Sequence, residues 1–411
     1  MTTRLYYHDS FLYDFDAEVN GIVETPRPAL ILDRTAFYPT SGGQTFDTGW
    51  ITTEPGSAIK LRVTEVADIE DGKVVHYLEA PVKDLKPGMR VRGQIDTTRR
   101  RDHMQQHSGQ HVLSAAFIRL FNMPTVSFHM ADDYCSIDLD TPALSKEQIE
   151  ACERLANEII LENRAVDIRF VTRDEAANLG LRKLPPTERD QLRLIDIRDF
   201  DLTACGGTHV TQTGQIGCIL LRKSERIRHG YRVEFVAGQR AVATARRDFT
   251  ALTETAALFS AHIYDVPQQA RKSLDEIKAL RKQGEQAQEE LATALAASLL
   301  AETPEKNGSK RVVRTFPDRD LDSLKLLAQK LTRQSSNAVV LLATTSPQAS
   351  LVFAQSAGQP HDMSALMKET ITKLGGRGGG SKDMAQGGVP KAEGIEAALA
   401  EVAQRLSTEA S

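Results

Sequence analysis

Two short segments set the strongest condition on how this chain folds: His107-Ser108-Gly109-Gln110-His111 and, far downstream, Cys205-Gly206-Gly207-Thr208-His209. On a helix, residues four apart project from nearly the same face, so both imidazoles of the first segment can approach one ion. Val112, Ala116 and Leu120 recur beyond them at helical spacing, and Leu113 and Phe117 widen the apolar stripe that would anchor the helix. The paired glycines of the second segment disfavour a regular helix but permit a tight loop that turns a thiolate and an imidazole inward. Three imidazoles and one thiolate suit borderline-soft Zn²⁺ in tetrahedral geometry. The predicted ligands are therefore His107, His111, Cys205 and His209, and the plain alternative is structural histidines beside a buried thiol.

Four protein ligands can close a zinc shell and leave it structural. Catalysis would need an expanded shell, displacement of a ligand, or a water held beside the ion. His103 is the main rival ligand, four residues upstream of His107, with a helix cap or a substrate contact as its other roles. His129 is a weaker candidate and reads as a satisfied, partly buried histidine. Cys135, Cys152 and Cys218 have no base near them in sequence and read as packing or ordinary reduced cysteines. No Gly-x-Ser-x-Gly element supports a serine hydrolase.

The fold class read from the pattern is α+β. Residues 1–95 read as short strands between turns, with Ala29-Leu30-Ile31-Leu32 and Lys60-Leu61-Arg62-Val63 as examples and a small antiparallel barrel as the expected outcome. Residues 96–242 mix the histidine helix, a second helix over 145–163 stopped by Asn163, and strands such as Ile168-Arg169-Phe170-Val171. Residues 243–303 are helical in composition and read as a connector, a paired-helix arrangement rather than one long zipper, because Gly284 weakens a continuous coiled coil. Its apolar seam of Leu274, Ile277, Leu291 and Leu295 could support a homodimer. Residues 304–411 alternate strands with helices around 321–333 and 362–373, then reach a glycine-rich loop at 375–380, as in a small α/β domain.

With a formal net charge of −4, a generally basic surface is absent, so any nucleic-acid contact needs a local patch. The candidates are Arg99, Arg100 and Arg101, and Arg377 with Lys382 in the glycine-rich stretch. That stretch can be read as a phosphate or RNA contact, or as a tightly packed turn; it does not match an ATP-binding P-loop. No run of about 18 apolar residues predicts a membrane span. The first residues lack the apolar core of a signal peptide, and four cysteines do not make a disulfide scaffold. Cytoplasm is the expected compartment.

Phe37-Tyr38-Pro39-Thr40-Ser41-Gly42-Gly43-Gln44, followed by Asp47-Thr48-Gly49, resembles the N-terminal signature of alanyl-tRNA editing proteins, and the two metal segments resemble that family's zinc motifs. Residues 375–388 resemble the C-terminal signature shared by alanyl-tRNA synthetases and long AlaX-type proteins. Ser108-Gly109 departs from alanine-rich variants and gives the zinc helix less intrinsic support. The resemblance implies an N-terminal barrel, a zinc-bearing editing domain and a DHHA1-type C-terminal domain. It also implies hydrolysis of mischarged seryl-tRNA(Ala), with glycyl-tRNA(Ala) as another substrate, and the same four zinc ligands. Thr40 and Gln44 match the motif that approaches the editing pocket. Thr40 is the expected partner of the serine hydroxyl, with a turn hydroxyl as its other reading. Gln44 is the expected amide for substrate or water. Asp47 is left without a catalytic role because turn stabilisation explains it equally. Read as a complete product, the chain leaves no room for an upstream charging domain. A broader aminoacyl-tRNA esterase and a non-catalytic, zinc-stabilised tRNA-binding module are the alternatives.

Overall fold

In the strand Asp14–Val23, buried Phe15, Ala17 and Val19 alternate with exposed Asp14, Asp16 and Glu18, the period expected where one face meets a core. The computed structural model describes residues 1–53, 59–69, 72–82, 84–179, 181 and 191–408. Six antiparallel strands close into a barrel in the order Asp14–Val23, Ala29–Leu32, Lys73–Leu78, Lys60–Ile69, Gly49–Thr53 and Arg90–Ile95. Phe15, Val19, Leu30, Leu32, Phe37 and Ile51 fill it. The barrel expected from the first 95 residues is present.

The helix Thr97–Phe121 follows directly. Asp96 caps it by accepting the Arg99 amide at 3.3 Å, and Asn122 ends it in the left-handed region at φ 54°. Residues 103–117 are buried all round, which a single apolar stripe does not foretell. Leu120, expected in that stripe, is 43% exposed. The helix packs with Lys146–Leu161 against the four-stranded antiparallel sheet of Ile219–Ile227, Gly230–Ala237, Cys135–Leu139 and Thr125–Met130. Gly109, weak for a helix in isolation, has a reason here: a Cβ on it would lie 3.1 Å from the Cβ of Ala237 on that sheet. Asn163 takes φ 53° just beyond the second helix, as its stop position predicts. A three-stranded sheet, Val166–Thr172, Gln191–Ile197 and Asp201–Ala204, delivers the chain to Cys205.

Contacts divide the chain into two compact units, Met1–Glu254 and Thr255–Ser411. The barrel and the histidine helix therefore belong to one unit. Helices cover Gly238–Leu258 and Val266–Glu302, and the second runs 37 residues through Gly284 without a break. Leu274, Ile277 and Leu291 of the expected seam are exposed, whereas Leu295 packs against a core.

The second unit holds a six-stranded sheet in which only Ser309–Phe316 and Ala338–Thr344 are parallel neighbours, joined through the helix Leu321–Gln334. Every residue of Ala338–Thr344 is buried, because both faces of the sheet are covered. Val340 and Leu342 meet the helix Leu321–Gln334, while Val339 and Leu341 meet Met363–Lys373 and Ile395–Thr408. That last helix adds to the elements expected from the sequence, although Ile395, Leu399, Val402 and Leu406 mark its buried face there. The predicted loop at 375–380 needs correction: Arg377–Gly380 is an edge strand paired with Met384–Gly388. A Cβ on Gly378 would lie 2.5 Å from the Gln386 carbonyl and 3.0 Å from Ile371 Cδ1, so its missing side chain serves sheet and helix packing. Among the described residues no helix is long and apolar enough to cross a membrane.

Candidate metal centre

His107 and His111 stack on one face of their helix, ring centroids 5.2 Å apart, and His209 meets them edge-on at 4.7 and 4.8 Å. The Cys205 Sγ lies 3.1 Å from His107 Nε2 and 3.4 Å from His209 Nε2. One donor atom from each of the four residues falls within 4.8 Å of the other three, so the group could hold a metal ion. Tetrahedral bonds of about 2.0–2.3 Å would draw such donors to roughly 3.5 Å. The chemistry of the donors fits that use. Burial opposes ionisation of the Cys205 thiol, yet His107, His111 and His209 outweigh it and bring its pKa well below the ordinary value. The buried Nδ1 of His107 has no hydrogen-bond partner.

Neighbours fix the ligands. Ser108 Oγ is 3.2 Å from His209 Nδ1 and also accepts the Val210 amide, so the residue that weakens the helix orients an imidazole. Asp201 Oδ2 faces His111 Nδ1 at 3.7 Å. Gly207 carries its own constraint: a Cβ there would sit 2.4 Å from His107 Cε1. Ser10 Oγ accepts the His209 amide at 3.1 Å.

The Thr40–Gln44 hairpin is set by Gly42 and Gly43, both at positive φ, between reciprocal Ser41–Gln44 backbone bonds. Gln44 is fully buried. Its amide donates to Thr208 Oγ1 at 2.9 Å and its oxygen accepts the Thr208 amide at 3.1 Å. The side chain expected to hold substrate or water thus clamps the barrel hairpin to the cysteine loop. Thr40 is exposed, and Gly42 is its hairpin's contribution to the wall of a cleft of about 800 Å³. That cleft is also lined by His107, His111, Cys205, Gln110, Ser127 and Phe128.

Of the arginine run, Arg101 is exposed and Arg99 is partly buried with its Nε on the Phe46 carbonyl. Arg100 must be removed from the RNA candidates: it is fully buried, its Nε 3.0 Å from Asp47 Oδ2 and its Nη1 2.8 Å from the Ser10 carbonyl. Asp47 also accepts the Tyr38 amide at 2.6 Å, so it organises the hairpin. The sequence carries a signal for this, since Arg100 lies two helical turns before His107 and shares its face. Arg377 and Lys382 are exposed. His103 is buried but outside the four-residue cluster, its Nε2 3.3 Å from Thr45 Oγ1. His129, 3.7 Å from Asp138, is also outside. Cys135 and Cys152 are buried in the core, where burial pushes each thiol up to about 12, and Cys218 is a free thiol at partial exposure.

Sequence comparisons meet this architecture piece by piece. Residues 5–99 match the family of class II (A) tRNA synthetases, 192–233 the second additional domain of threonyl- and alanyl-tRNA synthetases, and 308–408 the DHHA1 domain. The chain thus carries three synthetase-type domain matches, and its first unit holds the histidine and cysteine cluster. It is 30% identical to the alanyl-tRNA editing protein AlaX-L of Pyrococcus horikoshii over 95% of both chains. It belongs to that family, the long alanyl-tRNA editing proteins. It is also 34% identical to an alanine–tRNA ligase of Thermococcus kodakarensis and 33% identical to one of Pyrococcus furiosus. Each of these alignments covers 98% of this chain but only 44% and 43% of the ligases, so the chain spans less than half their length.

Proposed function

We propose that the chain hydrolyses the ester of mischarged seryl-tRNA(Ala), with glycyl-tRNA(Ala) as a second substrate, at a zinc centre held by His107, His111, Cys205 and His209. The observation that carries this reading is the meeting of those four donors in one cluster, three of them, His107, His111 and Cys205, lining a cleft, in a chain of the editing family. Zinc is favoured over harder cations because the set is nitrogen and sulfur. The finer division at residues 95, 242 and 303 belongs to the same proposal.

When bound, Zn²⁺ would orient the ester or polarise a water beside it. The protein's own part is to hold the surroundings still. Ser108 and Asp201 aim two of the imidazoles, and Gln44 ties the cysteine loop to the hairpin. Thr125 and Ser127 line the cleft, and their hydroxyls donate to Ser114 and Asp138, so each oxygen keeps acceptor capacity toward the open side. Thr40 is the proposed contact for the serine hydroxyl; its exposure leaves it available, and its hairpin reaches the cleft through Gly42. A contact to that hydroxyl separates serine from alanine, which apolar packing resolves by only about 1–3 kcal/mol. Exposed Arg101, Arg377 and Lys382, with Arg99, are the proposed RNA contacts.

The test is a deacylation panel of seryl-, glycyl- and alanyl-tRNA(Ala) with other seryl-tRNAs, and metal content measured on the same preparation. Serine should leave tRNA(Ala) selectively, and Cys205→Ala should lose both metal and activity while staying folded. Equal cleavage of noncognate seryl-tRNAs would replace this reading with a broader esterase. A folded, metal-replete protein that cleaves none of them would leave only a binding module.

A further inference from the structure

Arg193 is a buried arginine without a carboxylate partner among the described residues. It is 8% exposed, on the strand Gln191–Ile197 beside the cysteine loop. Its Nε donates to the Tyr7 carbonyl at 2.8 Å and its Nη1 to the Cys205 carbonyl at 2.6 Å. The Nη2 group has no partner, and among the described residues no carboxylate pairs with the guanidinium. A buried cation normally keeps a counter-charge, because desolvation otherwise costs several kcal/mol. Arg100 in the same unit shows the ordinary solution, a carboxylate.

Arg193 lines a second cleft, of about 480 Å³, which shares Ala204, Cys205 and Gly206 with the metal cleft. Arg4 lines it too, but its charge is met by Asp68 at 2.7 Å. Tyr7 is held between the two, each guanidinium 5.7 Å from its ring centre. Phe170, 40% exposed, lies on the same wall, with the His8 ring tilted against it at 5.0 Å between centroids. A buried cation with an unspent donor beside a partly exposed ring suits a phosphate that carries a base. We infer that this cleft is the subsite for a phosphodiester near the 3′ end of the RNA, with Arg193 as the binding residue and Phe170 as the stacking surface. The inference rests on the proposed editing reaction, since it names where that substrate's backbone is gripped.

The test uses the full chain and a pair of acceptor-stem RNA hairpins with single-stranded 3′ ends. One is unmodified, and the other carries an uncharged methylphosphonate at a single 3′-terminal linkage, placed in turn at each of the last three. The wild-type protein should lose roughly tenfold or more in affinity at one linkage, the scale of a hydrogen bond to a charged group. In Arg193→Met that loss should vanish, and Arg193→Lys should restore part of it; metal content and melting temperature report whether each variant is folded. If wild type binds every modified hairpin as tightly as the unmodified one, the subsite is refuted while RNA binding stands. The subsite is equally refuted if Arg193→Met keeps the linkage-specific loss, which would leave Arg193 as a brace for Cys205 alone. If wild type binds no hairpin, the editing reading fails and this inference fails with it.

Discussion

Glycine is used for opposite ends in the cysteine loop and in the C-terminal hairpin. At Gly207 the missing side chain leaves room for an imidazole, His107, in a cluster of metal-ligating groups. At Gly378 and Gly387 it leaves room for neighbouring backbone and for Ile371 of an apolar helix face. Both stretches look alike as strings, and both suggest close approach by a ligand. What separates them is what stands across from the glycine: a donor atom in the first unit, a packed helix in the second. A glycine-rich motif shows that something comes close, and only the fold shows what.

Substitutions in each region should therefore fail differently. The largest effect is expected at Gly207→Ala, which pushes His107 off the cluster; metal retention and deacylation should both fall by more than the roughly 10–100-fold typical of losing a group that merely orients a ligand. Unchanged metal content in that variant would break the comparison. Next comes Arg100→Met, which strands Asp47 in the core and should cost about 3–5 kcal/mol in denaturant unfolding of the first unit. A loss of RNA affinity with full stability would return Arg100 to the RNA candidates. Ser108→Ala, which frees His209 Nδ1 and the Val210 amide, should keep the fold and reduce metal affinity or deacylation roughly 10–100-fold. The smallest effect belongs to Gly378→Ala. Overpacking should destabilise the second unit by about 1–3 kcal/mol and leave the rate per bound metal unaltered. A fall in that rate would mean the hairpin takes part in chemistry after all.

The part of this molecule legible in sequence is the part governed by local spacing. Histidines four apart, strand alternation before residue 95 and the helices near 321–333 and 362–373 follow from period alone. Partner choice across long separations is not legible. Nothing adjacent to Gln44 announces Thr208, and nothing near Asp47 announces Arg100. The run Arg99-Arg100-Arg101 reads as one basic patch when charge is counted without helical phase; at 100° per residue, only the middle member faces inward with the histidines. The edge strand Arg377–Gly380 is hidden for another reason, since glycines carry no hydrophobic alternation to reveal a strand. The helix Ile395–Thr408, by contrast, is legible in the spacing of its own apolar residues.

X-ray absorption on the zinc-loaded chain tests the central claim most directly. The wild-type spectrum should require about one sulfur near 2.3 Å and three nitrogens near 2.0–2.1 Å, and Cys205→Ala should lose the sulfur shell together with deacylation. A shell without sulfur in the wild type, or a sulfur shell that survives Cys205→Ala, would contradict the account.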